Sequence, residues 1–388
     1  MTGLKVEALE TLRAEKIGEL AGSAPPCVTI LLPPYRPGEQ AQSMGAMLRT
    51  YCQDVERQLA AFRFAKSEVT DLTAPLLRLT QAPEFDAGSH WGRAIFRSPE
   101  VFTSLKGIER VKPSLTVGAC FDIRPVLADL ERPAEFYLLR LSQKTVEMWR
   151  WADGRMQGIE LPKDVPRSLD EALAFKPPDH DLENRSSAGS SAGTMPGVRF
   201  GTGSGRERAH VYLADFFKAV DRGIRELMHA GDAPLVLAGV DESTALYRSV
   251  SSYPRLLKES IHGSANSPYS EDELLRRALA IAGSDSIERA AANLADLKER
   301  VAPARFSTDL DIILHAAVDG RIGWLHINQD AHMRGVFGRI QHRRGTDWGE
   351  EDLLNLAAIE TLRQRGSAFS LPAAKMPNGA AIAAVFRY

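Results

Sequence analysis

Residues 199–240 read R-F-G-T-G-S-G-R-E-R-A-H-V-Y-L-A-D-F-F-K-A-V-D-R-G-I-R-E-L-M-H-A-G-D-A-P-L-V-L-A-G-V, and three physical regimes follow one another in it. Gly201, Gly203 and Gly205 alternate with Thr202 and Ser204, so nothing between Phe200 and Arg206 offers a side chain to a core. Glycine suits backbone that must bend freely or approach a ligand closely. Tyr212, Phe216, Phe217, Val220, Ile224 and Leu227 then recur at helical spacing, which predicts a helix over 211–228. Leu235, Val236, Leu237 and Val240 form a short apolar run with Gly239, the pattern of a strand buried on both faces of an α/β sheet. A basic, glycine-rich loop hung from a rigid helix and strand is the most function-like feature of the chain.

The rest of the composition narrows the setting. With 388 residues there is room for two or three domains at about 150 residues each. A hydrophobic content of 44% with 25% charged residues is that of a soluble globular protein. The net charge of -2 gives no global attraction to nucleic acid or membrane, so any such binding is local. No run approaches the roughly 20 apolar residues that span a bilayer. The first ten residues alternate charged and apolar types, unlike a signal peptide, and a cytoplasmic location is expected. Cys27, Cys52 and Cys120 are few and widely spaced, which fits a reducing compartment and buried structural thiols. None of the nine histidines stands at ligand spacing, so neither a metal nor a cofactor is predicted.

Taken in order, the pattern predicts an α/β protein of three domains. Residues 1–132 form the first: a helix over 4–22, a strand over 27–32, helices over 40–64 and 67–81 with Ser67 as hydroxyl cap, and strands over 92–97 and 114–121. The central domain, 133–302, has a mixed sheet. It opens with a hairpin of 136–141 and 145–151 around a polar turn, with Trp149 and Trp151 on one face. A strand over 156–161 follows, then a short helix boxed by Ser168 and Glu171. A flexible loop over 176–206 precedes the helix and strand of the opening, and Asp241 is expected to cap the next helix. A helical pattern begins at 270–273, restarts near 284–287 and reaches 301. The third domain, 303–388, reads helix (capped by Thr308), strand, edge strand over 334–341, helix (boxed by Asp347 and Glu350) and strands, an α/β/α sandwich.

Chemistry is thinner than architecture. G-T-G-S-G-R ahead of a helix could cradle an anion on free N–H groups, but it is neither a phosphate-binding loop with Gly-Lys-Ser/Thr nor the dinucleotide fingerprint. A flexible tether explains it as well. Arg199, Arg206 and Arg208 near this loop, and Arg339, Arg343 and Arg344 with Arg334 in the last domain, suit RNA phosphate or simply a solvated surface. His315 and His326 lie in apolar runs and read as core or edge histidines. No nucleophile, base and orienting group come together.

The order of elements then carries a resemblance. The glycine-rich loop, helix, P-L-V-L-A-G-V strand and following helix resemble the central domain of archaeal and eukaryotic class I peptide-release factors, and bacterial members of that superfamily in particular. D-I-I-L-H-A-A-V-D-G-R-I-G-W-L-H-I with the late helix and strand is similar to that family's C-terminal domain, of the kink-turn-binding ribosomal protein type. The resemblance covers residues 134–388. It implies a ribosome-associated role in termination, rescue or surveillance, with ribosome or tRNA as partner and a GTPase or other protein met through the C-terminal domain. The loop glycines Gly201, Gly203 and Gly205 stand where the family's Gly-Gly-Gln triplet enters the peptidyl-transferase centre. That triplet is absent, with no glutamine between Arg199 and Val240, and so is the Asn-Ile-Lys-Ser stop-codon element. Pelota, a relative, also lacks the triplet and binds the ribosomal A site, so the resemblance implies binding more than peptidyl-tRNA hydrolysis. Two other readings stay open: an enzyme or binding protein for a small phosphorylated ligand using the Gly201–Gly205 loop, and a non-catalytic adaptor for protein partners.

Overall fold

The computed structural model describes residues 20–34, 43–82, 85, 92–108, 112–130, 133, 135–152, 155–175, 203–228, 232–263, 269–338 and 348–388. Two compact units emerge: residues 1–132 together with 283–388, and residues 133–282. The helix expected over 4–22 lies outside the described residues except at its end.

The first unit begins with β1 (Cys27–Leu32), whose six residues are all buried. The helices α1 (Met44–Ala61) and α2 (Lys66–Leu79) cover one of its faces, where Val28, Ile30 and Leu32 meet Leu48, Val55, Leu59, Leu72 and Leu76. The strands β2 (Gly92–Arg97), β3 (Phe102–Ile108) and β4 (Ser114–Gly118) complete an antiparallel sheet in the order β3-β2-β1-β4. A strand with helices on one side and more protein on the other has no solvated face, which is why β1 reads as an apolar run interrupted by Thr29, whose buried Oγ1 accepts the Asp122 N–H at 2.9 Å. Ser43 caps α1, its Oγ accepting from the Ala46 N–H at 3.2 Å. Ser67 does not cap α2. The helix starts one residue earlier, and Glu68 reaches back to accept the Ala65 N–H at 2.8 Å. A short helix, α3 (Arg124–Leu130), closes this segment.

The second unit is built on a mixed sheet. The strands β5 (Glu135–Leu141), β6 (Val146–Ala152) and β7 (Arg155–Ile159) form an antiparallel meander, and Ser142 Oγ accepts the Lys144 and Thr145 N–H groups in the first turn. Ser168 caps α4 (Leu169–Phe175), its Oγ accepting the Glu171 N–H, but the Glu171 carboxylate accepts the Arg167 N–H one residue before the expected box partner; α5 (Gly203–Leu227) follows. Then β8 (Leu235–Gly239) adds parallel to β5, with Leu139 opposite Leu237. The helix α6 (Asp241–Val250) and the strand β9 (Leu256–His262) finish the order β7-β6-β5-β8-β9. Leu139, Leu141, Leu235 and Leu237 pack on Phe216, Phe217, Val220 and Ile224 of α5. Phe136, Leu138, Val236 and Ala238 point to the opposite face and are buried too. Trp149 carries the Arg140 guanidinium over its ring at 5.4 Å, and Trp151 stacks on Phe136 at 6.1 Å, so both indoles pack.

The long helix α7 (Glu271–Arg300) carries the chain from the second unit back to the first. It runs unbroken through Gly283 and Ser284, where the sequence suggests a restart. Ala278, Ala280, Ala282, Ala290 and Ala291 flank the pair, and alanine's helix preference outweighs one glycine at about 1 kcal/mol.

The last segment adds β10 (Phe306–Ser307), α8 (Leu310–Val318), β11 (Ile322–Asn328), β12 (Arg334–Gly335), β13 (Glu351–Asp352), α9 (Leu353–Arg363), β14 (Ser367–Leu371) and β15 (Ile382–Phe386). Its main sheet has the order β10-β15-β11-β14, with β11 parallel to β14. Asp309, not Thr308, caps α8, and Asp352, not Asp347, caps α9 by accepting the Leu354 and Asn355 N–H groups. The edge strand expected over 334–341 is only the two residues of β12, and 339–341 lie outside the described residues.

This segment shares its core with the start of the chain. Phe96, Phe121 and Ile123 join Leu314, Leu325, Ile327 and Leu354 in one cluster. The Asn355 side chain donates to the Phe121 carbonyl at 2.9 Å and accepts the Ile123 N–H at 3.0 Å. Arg124 and Asp352 form an ion pair at 2.5 Å. Among the described residues no helix is long and apolar enough to cross a membrane.

Candidate functional site

The glycine-rich stretch meets the described structure at the start of α5. Loop was expected through Arg206, yet helix begins at Gly203, so Gly203, Gly205, Arg206 and Arg208 occupy its first two turns. The reason is cooperative. Leu213, Phe216, Phe217, Val220 and Ile224 are all buried, worth on the order of 10 kcal/mol of gross transfer energy together. Once that packing nucleates the helix, each added residue gains a hydrogen bond, and two glycines cost only about 1 kcal/mol each. No carboxylate stands in the first turn to offset the positive end of the helix dipole, and His210 is exposed one turn further on. Arg199, Gly201, Arg339, Arg343 and Arg344 lie outside the described residues. Arg334 is described, and it donates to the Glu350 carbonyl at 2.7 Å.

What fixes α5 is a buried carboxylate that the sequence did not single out. Asp221, on the α5 face turned to α6, is 4% exposed. It accepts from Tyr247 Oη at 3.0 Å, Ser251 Oγ at 2.6 Å, and the Ser252 N–H and Oγ at 3.1 Å each. Arg225 also donates to Ser252 Oγ, at 2.5 Å. Burial, then the Asp221 charge, raises the Tyr247 phenol far above its ordinary value, so it remains a donor. Every one of these bonds is structural, and together they set the rotation of α5 against the end of α6.

Two close approaches complete the frame. A Cβ on Gly239 would lie 2.6 Å from the Leu141 carbonyl oxygen, and one on Gly223 would lie 2.0 Å from Val165 Cγ2. Only glycine lets β8 end against β5, and only glycine lets the segment after β7 press onto α5. Asp241 follows this strand but does not cap α6. Val240 precedes the helix without a side-chain cap, and the Asp241 carboxylate instead meets His262 Nδ1 at the solvent-exposed ends of β8 and β9.

The remaining candidates for chemistry are inert. Cys27 and Cys52 are buried, and burial followed by the Glu56 charge pushes the Cys52 thiol up to about 12, so no thiolate forms near neutrality. Among the described residues no group of His, Cys, Asp and Glu could hold a metal ion. A cleft of about 660 Å³ at the start of β5 holds Glu135, Tyr137, Arg150 and Asp232. There Glu135 accepts from Arg150 Nε at 2.7 Å and from Tyr137 Oη at 2.9 Å. The Arg150 hydrogen bond holds the Glu135 carboxyl below its usual range, and burial pushes the Tyr137 phenol up to about 12. An ionised acid with a protonated phenol is a satisfied ion-pair network, not a nucleophile with its base.

Residues 135–321, from the first residue of β5 past the end of α8, match the model of bacterial archaeo-eukaryotic release factor family 3. Through this segment the chain is similar to the bacterial release-factor-like proteins of that family. Solved structures similar to it include the archaeal translation termination factor aRF1, at 10% identity over 97% of each chain with a TM-score of 0.24. Pelota of Archaeoglobus fulgidus aligns at 14% identity over 77% of this chain and 80% of its own, with a TM-score of 0.37. Dom34 of S. cerevisiae, a translation termination-like factor, aligns at 12% over 74% and 73%, with a TM-score of 0.31. No curated protein matches the sequence at a significant level. The family segment contains the whole of α5 with its glycine-rich approach, and the Asp221 and glycine contacts that hold it.

Proposed function

We propose that this release-factor-like protein acts on the ribosome in the cytoplasm, in termination, rescue or surveillance, as a binder and not through the Gly-Gly-Gln chemistry of peptide release. The observation that carries the reading is the family match over the segment that builds α5. The start of α5 supports it physically. A helix N-terminus without an acidic residue in its first turn, carrying Arg206 and Arg208 and preceded by Arg199 and the glycine run, suits RNA phosphate. Gly201, Gly203 and Gly205 would let the chain approach RNA closely, but no glutamine between Arg199 and Val240 is there to position a hydrolytic water. Arg339, Arg343 and Arg344 would add a second RNA contact from the 283–388 segment, which would also meet a GTPase or other protein partner.

The test is co-sedimentation with ribosomes across a salt series, for the wild type and for Arg206→Ala/Arg208→Ala. We expect salt-sensitive pelleting, with the double substitution flattening the log–log salt slope by about two phosphate contacts. Absence of pelleting at every salt concentration would refute the reading. Binding of inorganic phosphate or a nucleotide that Gly203→Val abolishes, without ribosome association, would favour a small phosphorylated ligand instead.

A further inference from the structure

The sheet of the last segment has two unlike faces. Leu325 and Ile327 of β11 enter the shared core, whereas Trp324 and His326 alternate to the other side, toward the second half of α7. Lower on that side the helix closes on the sheet through Leu294, Leu371, Met376 and Ala383. At Trp324, His326 and Phe369 it leaves a cleft of about 390 Å³, within the usual range for small-ligand sites.

One wall of this cleft is a run of rings. His326 and Phe369 face each other on paired strands and stack at 5.0 Å with 21° between their planes, and Trp324 is 40% exposed beside them. An indole left that open on a sheet face is stacking surface. His326 is 3% exposed and its Nδ1 has no hydrogen-bond partner, an uncommon state for a buried ring nitrogen. Burial depresses its pKa to about 4, so the imidazole is neutral near pH 7 and stacks without carrying charge. The opposite wall is mixed. Ser286, Arg289 and Asn293 line it from α7 beside Ala290 and Leu297, and Asp296 is already paired with Arg300 at 2.7 Å. Arg289 makes no ion pair among the described residues, so the wall presents a positive charge beside an amide.

We propose that this cleft binds a nucleobase together with its phosphate. The base would stack on Trp324 and Phe369 with its polar edge toward Asn293, and Arg289 would meet the phosphate. Stacking on rings accepts any base, since each has a π face, and one guanidinium fits a backbone phosphate. The same chemistry is offered by a single-stranded RNA and by a free nucleotide. The site is separate from the start of α5, and its test uses no ribosomes, so its failure leaves the ribosomal reading untouched.

The experiment titrates the full-length protein with AMP, with adenosine and with a hexanucleotide of adenylate, reading tryptophan fluorescence and calorimetric heat. We expect saturable quenching by AMP or the hexanucleotide that Trp324→Ala removes, with affinity lowered about five- to hundredfold, the range for loss of one stacked base. Arg289→Ala should weaken AMP and leave adenosine unchanged. Tighter, salt-sensitive binding of the hexanucleotide over AMP identifies an RNA strand as the source, and equal binding identifies a free nucleotide. Trp324, Arg289 and Asn293 are exposed, so these variants should fold; should Trp324→Ala melt early, Asn293→Ala/Arg289→Ala carries the same test. No quenching by any ligand at millimolar concentration overturns the proposal. So does undiminished binding in the variants, or occupation by N-acetyl-tryptophanamide with nucleotides excluded, which would make the cleft a docking site for a protein side chain.

Discussion

Removing the Asp221 carboxylate tests whether α5 is held in place by one buried charge. In Asp221→Ala four donors lose their acceptor: Tyr247 Oη, Ser251 Oγ, and the Ser252 N–H and Oγ. They do not lose equally. Tyr247 is fully buried and keeps only Ser251 beside it, so loss of its charged acceptor costs about 1–3 kcal/mol. Ser251 and Ser252 are partly exposed and recover water, leaving about 1 kcal/mol between them. The expected loss is therefore about 2–4 kcal/mol. In the unit 133–282, which holds Asp221, that lowers Tm by roughly 2–4 °C per kcal/mol, or about 4–16 °C in all. Thermal melts followed by circular dichroism measure it. Tyr247→Phe supplies the internal check. If the Tyr247 hydroxyl dominates, adding Tyr247→Phe to Asp221→Ala restores about 1 kcal/mol or more, because the donor deprived of its charged acceptor is gone. A loss under about 0.5 kcal/mol, or a double variant no better than Asp221→Ala, would refute the account.

Three further predictions rest on single contacts. Gly223→Ala should destabilise by about 1–3 kcal/mol because its Cβ enters the Val165 side chain; Val165→Ala should return part of that in a chemical denaturation series. Gly239→Ala should cost at least as much with no side-chain rescue, since the clash is with the Leu141 carbonyl, and soluble expression against wild type reads it first. His326 gives a pH dependence of known sign. Its folded pKa of about 4 lies below the ordinary 6.5, so its unfavourable contribution is absent above pH 6.5 and grows as pH falls toward 4 while the unfolded chain takes up the proton. The full loss is about 3 kcal/mol, and the difference in Tm between the wild type and His326→Phe should narrow or reverse between pH 7 and pH 4.5 in favour of the variant. A pH-independent difference would remove burial as the cause.

Much of the architecture was legible because burial leaves a period in the chain. The run Cys27–Leu32, the stripe Phe216, Phe217, Val220 and Ile224 and L-V-L-A-G each announced a largely apolar buried face, and the Ser142 turn and the Ser168 cap announced their own ends, while the buried Asp221 on α5 left no such mark. Cap assignments were less readable. Ser67, Thr308, Asp347 and Asp241 were each passed over, because a neighbour one to five residues away satisfies the helix end or the helix needs no cap there. The start of α5 was misplaced for a different reason: packing a dozen residues downstream decides whether glycines become helical, and local propensity carries no trace of it.

By itself the sequence determined the alternation of elements, the buried face of each, the absence of a Gly-Gly-Gln triplet and the resemblance that the family match bears out. The tertiary structure decided which surfaces those faces meet. It joined 1–132 to 283–388 through Asn355 and the Phe121–Ile123 backbone, surrounded Asp221 with four donors from α6 and its end, and left His326 buried without a partner beside an open Trp324. Periodicity records only that a side chain must leave water. Which partner lies across from it depends on pairings between residues tens to hundreds of positions apart, and no local pattern encodes them.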